Sequence, residues 1–216
     1  MAFDPTNCRN TYWLLRHGRS LANEQDLICS AMENGIKPEW RLAELGRQQA
    51  TAAGQRFKAE VEKMPKPSGG LIFLTSPFSR TIDTATLAAA EVGITPDSKN
   101  FEVTELLRER YYGKVFELTK ATSGYDVTWA GDEAENGDYV PGTDGETCNQ
   151  VAARLTELFK ACEERFSGAY IVLTAHGDVL SICQALVTPK AEIKEHFRKF
   201  PFANCELKKV IPPTMI

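Results

Sequence analysis

Two of the chain's three histidines stand in the same setting: Arg16-His17-Gly18 and Ala175-His176-Gly177 each lie at the end of a short apolar run rich in β-formers. Arg80 follows a third such run, and Glu109 lies shortly past a fourth. Two histidines, two arginines and a glutamate are side chains suited to phosphoryl transfer. Guanidinium forks hold the charge of the phosphate. A neutral imidazole can attack phosphorus, and neighbouring arginines keep it unprotonated by disfavouring a further positive charge. A glutamate whose pKa is raised by an apolar wall such as Tyr111 or Tyr112 can protonate the departing oxygen. The scheme calls on no metal and no cofactor.

For these residues to meet, the chain must deliver them to one rim. Thr11 to Leu15, Leu71 to Thr75 and Tyr170 to Ala175 read as buried parallel strands, and Phe101 to Thr104 as another strand. Leu42, Leu45, Ala50, Ala53, Phe57, Val61 and Met64 recur at helical spacing and stop at the Pro- and Gly-rich stretch 65–70. Ser76-Pro77 can serve as N-cap and first residue of a helix running to about Val92, closed by Gly93. Val151, Leu155, Leu158, Phe159, Cys162 and Phe166 form the apolar face of another helix, capped by Gly168. Strands alternating with helices predict an α/β three-layer sandwich, with a mainly parallel central sheet flanked by helices. In such sheets ligands bind beyond the carboxyl ends of the strands, where Arg16, His17, Asn23, Arg80, Glu109 and His176 all fall.

The 216 residues suit one domain spanning 1–216. One excursion, at about 111–146, gathers Tyr111, Tyr112, Phe116, Tyr125, Trp129 and Tyr139 among glycines and acids. A lid over a pocket and a helical subdomain completing the core both fit it. A net charge of −4 without a basic stripe argues against nucleic acid as a partner. No apolar run approaches the ~20 residues that cross a membrane, and the start MAFDPTNCRN has no signal pattern, so a cytoplasmic protein is expected. The six cysteines form no C-x-x-C pair and read as reduced core thiols. His196, among charged neighbours, reads as part of a solvated helix face.

Four motifs together resemble the histidine phosphatase superfamily, in its phosphoglycerate-mutase-like branch. They are Leu15-Arg16-His17-Gly18 with Asn23, Ser76-Pro77-Phe78-Ser79-Arg80-Thr81, Leu107-Arg108-Glu109-Arg110-Tyr111-Tyr112-Gly113, and Ala175-His176-Gly177. Order and spacing match from about Tyr12 to Leu186, and Pro141 to Thr147 is similar to the family's P-x-G-E-S/T segment. The resemblance implies that His17 is the nucleophile that forms a phosphohistidine, and that Arg16, Arg80 and His176 make the phosphate pocket. It implies further that Asn23 touches substrate and that Glu109 is the proton donor, later the base on the hydrolytic water. Glu105 precedes Gly113 by eight residues where the family pattern has four, so Glu109 is preferred. The implied activity is hydrolysis of phosphomonoesters, borne by a small molecule or a phosphoprotein.

The chain also departs from the mutase pattern. Lys114-Val115-Phe116-Glu117-Leu118 follows the glutamate motif, and the stretch where mutases carry basic residues reads Asp132-Glu133-Ala134-Glu135. A phosphatase is therefore preferred over a mutase, and over a low-activity regulatory or binding protein on the same fold. Three other patterns fail on chemistry. Cys148 and Arg154 match C-x5-R, but on a helix they point about 240° apart, and the helix consumes the N–H donors such a loop needs. The acidic run from Asp132 has Ala134 at the third ligand position of a calcium loop and Thr143 at the twelfth. Gly69-Gly70 is not followed by G-K-S/T, which excludes a nucleotide P-loop.

Overall fold

The computed structural model describes residues 5–211. Its strands are β1 (Thr11–Arg16), β2 (Leu71–Thr75), β3 (Phe101–Val103), β4 (Tyr170–Ala175) and β5 (Leu207–Ile211), in the sheet order β3-β2-β4-β1-β5. The helices are α1 (Leu21–Glu24), α2 (Met32–Gly35), α3 (Glu44–Val61), α4 (Ser79–Ala90), α5 (Ala121–Ala134), α6 (Cys148–Arg165), α7 (Gly177–Val187) and α8 (His196–Lys199). β1 to β4 run parallel, and β5 pairs antiparallel on the outer edge of β1. The three-layer α/β expectation holds.

Alternation along each strand divides the core into two. Tyr12 and Leu14 of β1, Ile72 and Leu74 of β2, and Ile171 and Leu173 of β4 pack with α6 and α7. Trp13 and Leu15, Phe73, and Tyr170 and Val172 turn to the other face and meet α3 and α4. Side chains of successive strand residues point to opposite faces, so strands covered on both sides must be apolar throughout. That is why the sequence shows continuous runs. Trp13 is fully buried, with ring centroids 5.3 Å from Phe57 and 5.3 Å from Tyr170. Such aromatic contacts add about 0.5–1.5 kcal/mol each beyond their area.

On the α3–α4 side, close approach depends on small residues. Gly54 of α3 lies so near α4 that a β-carbon there would come within 2.5 Å of the Ala88 carbonyl oxygen. Ala50, Ala53, Ala85, Ala88 and Ala89 fill the same seam. Leu45, counted among the apolar positions of α3, is 51% exposed because it lies off the helix face that Gly46, Ala50, Ala53, Gly54 and Phe57 bury.

Two other elements differ from the sequence reading. Helix α4 starts at Ser79 with Phe78 as N-cap, not at Ser76-Pro77. The Ser76 hydroxyl instead lies 2.8 Å from His176 Nε2 and accepts from the Phe78 N–H at 3.3 Å. Strand β5 was not foreseen: Lys208 and Lys209 interrupt its apolar pattern, as edge strands commonly do to discourage further pairing.

Candidate active site

The parallel register of β1 and β4 pairs Arg16 with Ala175, so the next residue of each strand is a histidine. The His17 N–H donates to the Ala175 carbonyl at 3.0 Å, and the two imidazole centroids are 5.3 Å apart. Gly18 lets this corner lie against α3, since a β-carbon on it would come within 2.5 Å of the Gly46 carbonyl oxygen. His17 is buried, and its Nδ1 lies 2.8 Å from the Gly18 carbonyl oxygen. A carbonyl only accepts, so Nδ1 carries the proton and Nε2 presents its lone pair. The Nε–H of Arg80 points at that lone pair from 3.2 Å.

Electrostatics reinforce this tautomer. Burial, followed by the charges of Arg80 and Arg16, holds the His17 pKa well below that of a free imidazole. Burial and the Arg80 charge do the same to His176. Both rings are therefore neutral near pH 7. Ser76 fixes the orientation of His176 through Nε2 and leaves Nδ1 facing Glu109 Oε2 at 3.4 Å.

Arg80 occupies the first turn of α4, whose start follows β2 closely enough to bring the guanidinium over His17. Its Nη2 donates to the Cys29 carbonyl at 2.9 Å and lies 3.5 Å from Glu109 Oε2. Arg16 ends β1 and donates through Nη1 to the Phe202 carbonyl at 2.5 Å. Three buried nitrogens of this cluster have no hydrogen-bond partner among the described residues: Arg16 Nε, Arg80 Nη1 and His176 Nδ1. Unpaired buried donors carry a desolvation cost that proteins rarely accept without a reason. Here the reason is a convergent donor set that suits a tetrahedral oxyanion, joined by the first turn of α7, which begins at Gly177 directly after His176.

Glu109 follows the single turn Glu105–Leu107, which Thr104 caps by accepting from the Leu106 N–H. It is buried. Oε1 accepts from the Arg110 N–H at 2.9 Å, leaving Oε2 as the oxygen nearest Arg80 and His176. Burial, partly offset by Arg80, raises its pKa to about 7. Tyr112 is buried beside it and lines the same cavity, whereas Tyr111 turns toward Asp144. Of the two tyrosines offered as the apolar wall, only Tyr112 lines this cavity.

Arg16, His17, Asn23, Arg80 and Glu109 all line one cavity of about 150 Å³. Asn23 reaches it from α1, where its Oδ1 accepts from the Ser20 N–H and its own N–H donates to Ser20 Oγ. The sequence-derived residues thus come together, with His176 directly behind them. The aromatics of the excursion at 111–146 divide between cavity lining and packing. Tyr112, Tyr125 and Trp129 line the cavity, while Phe116 and Tyr139 pack against Gly124 and Gly131.

Sequence reasoning missed a second buried cluster that supports the site. Arg110, without any exposed side-chain surface, donates to both oxygens of Asp132 at 2.7 Å and to Asp178 Oδ2 at 3.1 Å. Asp178 Oδ1 accepts from Trp129 Nε1 at 3.0 Å and lies 2.7 Å from His196 Nε2. His196 is therefore no solvated helix residue: it is fully buried, with Nδ1 2.9 Å from the Ile193 carbonyl. The signal missed was the acid at Asp178, directly after His176-Gly177 in the first turn of α7 and buried in the same interior. Asp132, Cys148 and His196 lie close enough together for a metal ion. The chemistry of that donor set argues otherwise, because the Arg110 guanidinium already sits on Asp132 and 3.2 Å from Cys148 Sγ, and burial keeps the thiol protonated.

Cys148 and Arg154, the C-x5-R pair, separate as expected: Arg154 forks onto Glu146 at 2.9 Å, in a groove that adjoins the cavity at Ser30 and Glu109. Thr147 of the 141–147 segment makes a capping box with Gln150 at the start of α6. Among the described residues no helix is long and apolar enough to cross a membrane.

A family model described as the histidine phosphatase superfamily (branch 1) matches residues 12–212. No curated protein sequence matches the chain. Among solved structures, it is similar to a mycobacterial glucosyl-3-phosphoglycerate phosphatase complexed with VO3, at 23% identity and TM-score 0.65, over 92% of this chain and 90% of that one. An alpha-ribazole phosphatase from Shigella flexneri matches at 19% identity and TM-score 0.64, over 91% and 88%. A phosphoserine phosphatase from Entamoeba histolytica, complexed with 3-phosphoglyceric acid, matches at 19% and 0.66, over 93% and 89%. At these identities the likeness is one of fold.

Proposed function

The chain belongs to the histidine phosphatase superfamily, branch 1, and on that premise we propose that it is a metal-independent phosphatase that hydrolyses phosphomonoesters through a phosphohistidine on His17. The observation that carries this reading is the His17 Nε2 lone pair, set 3.2 Å from the Arg80 Nε–H in a cluster with three unpaired donors.

In the first half-reaction His17 Nε2 forms a bond to phosphorus while the bond from phosphorus to the ester oxygen breaks. Protonated Glu109 gives its proton to that oxygen, and the alcohol leaves. In the second half-reaction the Glu109 carboxylate takes a proton from water, whose oxygen attacks phosphorus as the P–N bond breaks. Phosphate departs, and His17 and Glu109 return to their first states. A carboxyl group with a pKa near 7 is matched to both transfers. Arg16, Arg80 and His176 hold the phosphoryl oxygens, with charge placed before the reaction begins.

A mutase must also hold a carboxylate or second phosphate. Among the described residues Arg16 and Arg80 are the arginines that line the cavity and no lysine does, and the reaction proposed here uses both on the reacting phosphate. A cytoplasmic place of action belongs to the same reading, supported by Cys29, Cys148, Cys162, Cys183 and Cys205, which are thiols and not disulfides.

The test is a chelator-treated assay across phosphomonoesters, with His17→Ala as control. Expected are hydrolysis that survives chelation, its loss in the variant, and an acid-labile, alkali-stable phosphoenzyme. Activity that persists in His17→Ala, or disappears with the chelator, would overturn the mechanism. A bisphosphorylated sugar acid should give no mutase turnover.

A further inference from the structure

Resting on that phosphatase reading, we infer that the site takes phosphomonoesters of apolar or aryl-bearing alcohols and selects against leaving groups that carry a second anion or many hydroxyls.

Beyond the phosphate-facing arginines, the cavity wall is aromatic and continuous. Tyr125 and Trp129 stand one turn apart on α5 and stack at 5.2 Å with planes 12° apart. Phe197 from α8 extends the stack, 5.1 Å from Trp129 and 6° from parallel. Tyr112 meets Tyr125 edge-on at 5.1 Å. Leu27, Ile28 and Phe202 also line the cavity. Tyr125, Trp129, Phe197 and Leu27 are each half-buried; Trp129 lies within the stack, so its ring holds Tyr125 and Phe197 in place and these supply the outer faces of the wall. A planar or apolar group leaving His17 toward that wall would stack and would displace poorly held water.

Charge points the same way. Among the described residues no lysine lines the cavity, and its two arginines are the ones the proposed reaction assigns to the phosphate. The acid on the aromatic side, Asp178, is held ionised by His196 and Arg110 despite its burial. A carboxylate or second phosphate on the substrate would meet that anion without a cation to answer it.

Hydrogen-bonding capacity is scarce as well. Asp178 is engaged by Arg110, Trp129 and His196. Ser181 donates to the Gly177 carbonyl, and Ser30 donates to Glu117 while accepting from the Tyr112 N–H. The Asn23 carbonyl is tied to Ser20. The Asn23 amide N–H and the Ser20 and Tyr125 hydroxyls can answer some hydroxyls of a polyol, and the others would be desolvated against the rings.

The test compares three substrates that all lose an alkoxide, so that leaving-group acidity does not decide the order: 2-phenylethyl phosphate, glycerol phosphate and phosphoglycerate. We expect kcat/KM for the phenylethyl ester to exceed that of glycerol phosphate by about tenfold and that of phosphoglycerate by about a hundredfold. Trp129→Phe should keep the preference, whereas Trp129→Ala and, independently, Phe197→Ala should reduce it toward unity. His17-dependent turnover with the three substrates equal, or in the reverse order, would overturn this inference while leaving the phosphatase reading intact. Absence of both turnover and phosphohistidine with all three would overturn the two together.

Discussion

Arg80 aims its Nε–H at Nε2 of His17 from 3.2 Å, a contact that a protonated imidazole would not tolerate. One guanidinium thus helps to keep His17 neutral, and in the reaction proposed above it also meets the phosphate. Arg80→Ala should lower kcat/KM by about 10²–10³, the usual loss for one electrostatic partner of a transition state. Arg80→Lys should recover little, because a point charge cannot span His17, Cys29 and phosphate as a planar fork does. Steady-state kinetics with phosphoenzyme trapping would check both; wild-type phosphoenzyme levels in Arg80→Ala would contradict the assignment.

The pH dependence of kcat/KM follows from Glu109. Its carboxyl must be protonated to release the alcohol, so activity should fall as pH rises through about 7. The acid limb, set by protonation of His17, should lie well below the usual imidazole range. Glu109→Gln should remove the alkaline limb along with most of the rate.

The same residue makes a prediction for stability. Folding raises the Glu109 pKa from 4.5 to about 7, because burial penalises the charged form. Between those values the folded state holds a proton that the unfolded state has released, so its stabilising contribution is full below 4.5 and is lost as pH rises through about 7. In urea titrations Glu109→Gln should abolish that part of the pH dependence; an unchanged slope would count against it.

Ser76 is expected to act through His176. Its hydroxyl fixes Nε2 at 2.8 Å and so holds the ring with Nδ1 toward Glu109 Oε2. Ser76→Ala should cost about tenfold in kcat, the equivalent of one hydrogen bond, with little change in KM. It should also weaken inhibition by vanadate. A purely structural serine would lower the unfolding midpoint and leave kcat alone.

Removing Arg110 tests the buried cluster behind the cavity. Arg110→Met leaves Asp132 and Asp178 buried without their cation and should destabilise the fold by about 3–5 kcal/mol. Chemical denaturation would measure it, and pairing the change with Asp132→Asn should recover part of the loss.

Much of this arrangement was legible because catalytic side chains and strand ends share one sequence signal. An apolar run ending in His-Gly states both where a strand stops and what it delivers, as Arg16-His17 and Ala175-His176 do. Local pattern could not report partners far along the chain. His196 sits among charges in sequence and yet is buried, because Asp178, 18 residues earlier, waits for it inside. Ser76 looks like a helix cap and is drawn off by His176, 100 residues away. β5 carries an edge strand's lysines and is held in place by backbone pairing with β1, which composition does not display.

The pairing of Arg16 with Ala175 makes the sheet's own hydrogen-bond ladder the gauge that sets the spacing of His17 and His176. A ladder cannot drift: it shifts by whole residues, and a shift of one would turn the inward side chains outward. The interval between the two imidazoles is therefore stepwise. Lengthening the loops between β1 and β4, or exchanging the aromatic helix above them, can reshape the cavity without changing the register that sets the two imidazoles side by side.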